Sequence, residues 1–150
     1  MARAKRGKAR TQIRTRRYLK SVEPWSDQFL REVLDASPEG IAVCEVRGDV
    51  QPAVYVNAAF EKLTGYSADE LIGQDLRRLQ AWDREQEARA QLREAIGQGA
   101  ACSVLLRNYR KDGTLFWNEM QLQPLRRTDG AITHFVCFYH DVTELSLIHI

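Results

Sequence analysis

Two asparagines ten residues apart, Asn108 and Asn118, flank an Asp112-Gly113 pair. Asp-Gly between two strand-like runs signals a hairpin, so antiparallel pairing brings the two amides close, and strand alternation can aim both inward. A side-chain amide offers a donor pair and an acceptor together, which suits a ligand edge that mixes both. A strand end or a satisfied core amide fits the same spacing. Arg89 and Arg93 stand one helical turn apart on one face, suited to a forked grip on phosphate. Glu85, four residues before Arg89, offers an ordinary surface ion pair instead. Cys44, Cys102 and Cys137 are an odd, widely spaced set without metal-ligand spacing. With no signal peptide they imply reduced thiols in a cytoplasmic protein. Nothing provides a substrate cleft, a nicotinamide site or an acid/base pair, so an enzyme is not expected.

These side chains need elements to place them. Ser26 is a plausible cap for a helix running to about Ala36, with Phe29, Leu30, Val33 and Leu34 on one stripe. Ser37-Pro-Glu-Gly40 breaks it, and Ile41–Val46 and Ala53–Val56 follow as a strand hairpin. Asn57 precedes a short helix from Ala58 to Leu63, stopped near Gly65, and Ser67 caps another turn at Ala68–Leu71. Asp83–Ile96, rich in Glu, Gln, Ala and Arg, predicts the longest helix of the domain, closed by Gly97 and Gly99. Three strands then follow over Ala101–Tyr109, Thr114–Leu125 and Ile132–Asp141, joined by Asp-Gly turns. Two strands, short helices, one longer helix and three strands imply an α+β fold: a five-stranded antiparallel sheet with helices on one face. A cavity between sheet and helices can hold a flat cofactor.

The 150 residues suit one domain. No apolar run approaches the ~20 residues of a membrane span. The formal charge of +2 conceals two parts: residues 1–22 carry nine Lys/Arg and no acid, and the remainder has a net charge of −7. Residues 1–24 are expected to be a disordered basic tail, and 25–37 an N-terminal helix. The tail is suited to nonspecific contact with nucleic acid or anionic lipid, it meets the loose description of a transit peptide, and a solvated extension without function accounts for it more simply.

Gln74-Asp-Leu-Arg-Arg-Leu-Gln80, Asn108-Tyr-Arg-Lys-Asp-Gly113, Phe116-Trp-Asn118 and His140-Asp-Val-Thr-Glu144 together resemble the flavin pocket of light-oxygen-voltage (LOV) domains, a branch of the PAS superfamily. The resemblance covers about Pro38 to Glu144 and is closest to short bacterial LOV proteins; a domain over 38–145 is implied, with 146–150 starting a truncated extension. It implies FMN as cofactor, with riboflavin and FAD as alternatives sharing the ring. By this resemblance Asn108, Asn118 and Gln80 meet the ring edge, and Arg77, Arg84, Arg89 and Arg93 reach the phosphate or ribityl end. Asp75 stands where asparagine is usual; an ionised carboxylate accepts but does not donate. Asn57 joins the candidate cofactor contacts. Val43, Leu76, Leu79, Leu92, Leu106, Leu122 and Phe135 are candidate ring walls, although core packing accounts for each as readily.

Three departures matter. Leu76 occupies the position of the cysteine whose sulfur bonds to the flavin in the family, and leucine offers no nucleophile. Arg78 replaces a usual phenylalanine. Tyr139 stands where a glutamine faces flavin N5, and a phenol lacks the two opposite ends of an amide. The expectation is a non-covalent, blue-absorbing, fluorescent flavin domain without adduct photochemistry, with flavin photoreduction as a route to signalling. The alternative is a cofactor-free PAS module for dimerisation. A homodimer through the terminal helices is expected, with no substrate and no membrane partner.

Overall fold

The computed structural model describes residues 25–145; the basic tail and the C-terminal extension lie outside the described residues. The chain divides after Val33 into two units. Helix α1 (Asp27–Asp35), most of which belongs to the first, begins as expected: Ser26 Oγ accepts from the Phe29 amide at 3.0 Å. The Trp25 and Phe29 rings meet edge to face at 5.3 Å, and Trp25, Phe29, Leu30 and Val33 are exposed.

The second unit holds β1 (Gly40–Glu45), β2 (Ala53–Val56), α2 (Ala58–Thr64), α3 (Ala68–Leu71), a 3-10 helix (Leu76–Gln80), α4 (Glu87–Gln98), β3 (Cys102–Tyr109), β4 (Leu115–Arg126) and β5 (Ile132–Asp141). All five strands form one antiparallel sheet in the order β2-β1-β5-β4-β3. Alternation along β4 separates its faces: Phe116, Asn118, Met120 and Leu122 are buried, while Leu115, Glu119, Gln121 and Gln123 are exposed. β5 continues the inner face with Phe135, Cys137 and Tyr139, and β3 with Val104, Leu106 and Asn108. The helices cover that face, α2 over β1, and α4 and the 3-10 helix over β3. Pro124 is tolerated in β4 because β3 pairing stops at Leu122, so the missing amide costs no ladder bond on that side.

Helix α4 differs from the sequence expectation at both ends. It starts at Glu87 rather than Asp83, because the preceding side chains serve β3 instead. Gln86 exchanges two hydrogen bonds with the Arg107 backbone, at 2.8 and 3.0 Å. Asp83 takes Arg107 through both oxygens, at 2.6 and 2.8 Å, and the Tyr109 hydroxyl at 2.7 Å. The Arg107 and Tyr109 bonds hold the Asp83 carboxyl down to about 2. At its other end α4 runs through Gly97 and closes at Gly99, where φ is 63°. A Cβ there would also lie 2.1 Å from Ile132 Cδ1, so that side chain would have to move, while the positive φ by itself favours glycine.

Ala81 ends the 3-10 helix at φ 51° and ψ −124°, and it is the one non-glycine with positive φ among the described residues. Such a conformation costs an alanine of order 1–3 kcal/mol and a glycine almost nothing. Ala81→Gly is therefore expected to stabilise the domain by about 1 kcal/mol after the glycine's extra chain entropy is subtracted. Denaturant unfolding checks this through a higher midpoint at constant m-value.

Candidate functional site

Between the inner face of the sheet and the covering helices lies a small cavity of about 60 Å³. Its floor is the sheet: Cys44 from β1, Phe135, Cys137 and Tyr139 from β5, Met120 from β4, and Leu106 and Asn108 from β3. Its cover is Leu76 and Gln80 from the 3-10 helix, with Leu92 and Ile96 from α4. Gln51, Arg77, Gln80, Leu92 and Ile96 also line a wider cleft of about 390 Å³, which adds Asp49, Arg89 and Arg93. An apolar interior therefore opens onto a mouth carrying three guanidinium groups.

Local bonding places the covering segment. Asp75 caps the 3-10 helix by accepting from the Arg77 amide at 2.9 Å. The stretch before it is tied to β2, with Ala53 N donating to Gln74 O at 2.9 Å and Gly73 N to Ala53 O at 2.8 Å. This fixes Leu76 and Gln80 over the floor.

The amides behave as the hairpin spacing predicts. Asn118 Nδ2 donates to Asn108 Oδ1 at 2.9 Å, Asn108 Nδ2 to Arg107 O at 3.2 Å, and His140 N to Asn118 Oδ1 at 3.2 Å. Asn108 lines the cavity, with Asn118 bonded behind it. Gln80 stands differently. It is 4% exposed, and its Oε1 is the one buried side-chain oxygen or nitrogen without a hydrogen-bond partner among the described residues. Leaving a buried amide oxygen unpaired costs about 1–3 kcal/mol, so the position suits a donor supplied by a ligand.

The residues 38–144 match the PAS domain family. A solved LOV domain of the Erythrobacter litoralis EL346 blue-light activated histidine kinase is 33% identical, with a TM-score of 0.67, over 71% of this chain and 98% of that one. The chain belongs to the PAS family, in its LOV branch. The structure of an RNA-binding light-oxygen-voltage receptor is 41% identical with a TM-score of 0.76, over 81% of this chain and 34% of that chain. The blue-light photoreceptor of Listeria monocytogenes is 37% identical over 80% of this chain and 47% of its own length. The chain spans between 19% and 48% of the length of the first relatives it matches.

Within this LOV domain the sequence-derived site residues separate into groups. Leu76, Arg77, Gln80, Arg89, Leu92, Arg93, Leu106, Asn108, Phe135, Tyr139 and Asp75 all line the cavity or its mouth. Leu79 and Leu122 are buried core residues outside the lining. Val43 lies on the other face of β1: it pairs with Val136, between the inward-facing pairs Ala42–Cys137 and Cys44–Phe135. Strand parity excludes it from the wall. Arg84 turns its Nε to Ala81 O at 3.3 Å and is absent from both linings. Asn57 is a fully buried scaffold residue, bonded through both ends of its amide to protein groups. Cys44, Gln51, Ile96 and Met120 line the cavity without having been singled out. Met120 follows from alternation, two residues beyond Asn118; Gln51, in the β1–β2 connection, has no local signal.

Charge and protonation complete the geometry. Burial pushes the Asp75 carboxyl up, but its bonds from Arg77 and from the Gln51 amide outweigh this and hold it below the usual carboxylate range. Burial pushes the Tyr139 phenol well up, so it is neutral; its ring packs against Phe60 with centroids 4.7 Å apart. The free Cys137 thiol is pushed well up by hydrogen bonding to the neighbouring Cys44 thiol and by burial, which leaves it neutral and of low reactivity. Arg78, outside both linings, donates to Glu70 O at 3.4 Å and lies 4.9 Å from the centroid of the Tyr66 ring. Among the described residues no cluster of metal-ligating side chains occurs, and no helix is long and apolar enough to cross a membrane.

Proposed function

We propose that this LOV domain binds FMN non-covalently as a light-sensing module and lacks the thiol chemistry usual in its family. The observation that carries this reading is the buried, unpartnered Gln80 Oε1, set in an apolar cavity whose mouth bears Arg77, Arg89 and Arg93. That donor set fits a flavin: amides at the pyrimidine edge, apolar side chains beside the ring, and guanidinium groups for the phosphate. Bound flavin supplies blue absorption, fluorescence and, when excited, a ring able to accept an electron. Leu76 covers the cavity without a nucleophile, so it offers steric confinement alone. The exposed Phe29, Leu30 and Val33 on α1, with Trp25 just before it, support a homodimer formed through that helix.

The deciding measurement is the absorption spectrum of the purified protein, with extraction of its cofactor. A three-peaked blue band that survives brief blue illumination is expected, with FMN in the extract. A colourless protein that takes up no added flavin would leave a cofactor-free PAS module instead.

Tyr139 has the position and protonation state of an electron donor: a neutral phenol lining the cavity. Tyr139→Phe keeps the ring packing on Phe60 and removes the hydroxyl. It is expected to brighten emission and to slow light-driven reduction several-fold. Unchanged fluorescence lifetime and photoreduction rate would remove Tyr139 from the mechanism.

A further inference from the structure

We propose that Asp75 sets the ligand preference of this site by occupying Arg77, which leaves Arg93 as the principal phosphate contact. The inference rests on the reading that the cavity takes a flavin. Its basis is the different engagement of the three guanidinium groups at the mouth.

Arg77 is heavily committed. Asp75 Oδ1 accepts from its Nε at 3.1 Å and Oδ2 from its Nη2 at 2.9 Å, a bidentate pair. Nη2 also reaches Asp49 O at 3.3 Å. Asp75 is anchored in turn by the Arg77 and Gln51 amides, so the pair is fixed to backbone at both residues of its own turn and at the β1–β2 connection. Arg89 donates to the Arg84 carbonyl, which engages one of its donors without cancelling its charge. Arg93 has no hydrogen bond or ion pair among the described residues, and it lines the mouth.

These differences bear directly on phosphate binding. A phosphate reaching Arg77 must either displace the Asp75 pair or bind through Nη1, which Asp75 leaves open, and on either route it meets a guanidinium charge that Asp75 already compensates, so the net gain is small. It would also bring its own negative charge beside the Asp75 carboxylate, which opposes binding. Arg93 has no such pair to break. Asparagine at position 75 keeps a cap acceptor for the Arg77 amide and removes the charge, which frees the guanidinium to turn to a ligand.

The test uses flavin-stripped protein titrated with FMN and with riboflavin, following the fluorescence of each ligand. In the wild type, Arg93→Ala is expected to weaken FMN about tenfold and Arg77→Ala less than about threefold, with riboflavin unchanged in both. Asp75→Asn is expected to tighten FMN about tenfold and leave riboflavin within about twofold. Adding Arg77→Ala to Asp75→Asn should erase that gain. A tenfold FMN loss from Arg77→Ala in the wild type, or an unchanged FMN-to-riboflavin ratio in Asp75→Asn, overturns the proposal while the flavin reading stands. If the wild type binds neither ligand, the flavin reading falls and this proposal falls with it. Thermal unfolding of every variant monitors folding, and should Asp75→Asn not fold, the comparison of Arg77→Ala with Arg93→Ala decides alone.

Discussion

Leu76→Cys is expected to make a light-stable site bleach: in blue light the variant should lose most of its blue absorption band and regain it in the dark. The position is prepared for this. Leu76 is the first residue of the 3-10 helix, buried and lining the cavity, on a segment held by the Asp75 cap and the Arg78 N to Asp75 O bond at 3.2 Å. Cysteine is smaller than leucine, so the exchange enlarges an existing cavity rather than forcing a clash, at about 1–3 kcal/mol. A thiol there would have the nucleophile that leucine lacks. Cys137 also lines the cavity, but its thiol is free, buried and neutral. Cys137→Ala in both backgrounds separates the two sulfurs, and the light response should follow residue 76 alone. A Leu76→Cys variant that holds flavin and keeps its band under illumination would show that the turn around Asp75 and Arg78 does not present position 76 to the ring.

Much of this site was legible because its signals are local. The Asp112-Gly113 turn dictates a hairpin, and the hairpin dictates the Asn108–Asn118 bond. Arg89 and Arg93 follow from one turn of α4. The sheet itself follows from period-two runs bounded by turns, and strand bounds agree to within one residue in all five cases. What the sequence conceals is competition between partners. Asp83 has the composition of a helix start, yet Arg107 and Tyr109, more than twenty residues away, claim its carboxylate and delay α4 to Glu87. By resemblance Arg77 is a phosphate ligand, yet its neighbour Asp75 engages its Nε and Nη2. Val43 is as apolar as its neighbours, and strand parity alone removes it from the cavity. Of these only the Asp83 contacts depend on distant partners that no local pattern names.

Asn57 illustrates the same point with the largest expected effect on stability. It stood among the candidate cofactor contacts, whereas the fold uses it as a junction. Its Oδ1 accepts from Ile41 N at 2.8 Å and from Phe60 N at 3.0 Å; its Nδ2 donates to Leu34 O at 2.8 Å and Glu39 O at 3.0 Å. One amide thus joins β1, the first turn of α2 and the segment leading into the sheet. Asn57→Ala removes a helix cap, worth about 1 kcal/mol, and strands further buried backbone groups at about 1–3 kcal/mol each. Partial relaxation and water entry reduce that sum, so about 3–5 kcal/mol is expected, beyond the usual range for a single substitution. Asn57→Asp keeps the two acceptor bonds but sets a buried carboxylate oxygen against the Leu34 and Glu39 carbonyl oxygens, so its loss should be at least as large. Denaturant unfolding measures both. Flavin affinity of the folded fraction should stay within about twofold of wild type, because every polar atom of this side chain is already engaged by the protein. A drop in affinity with little change in stability would return Asn57 to the cofactor site.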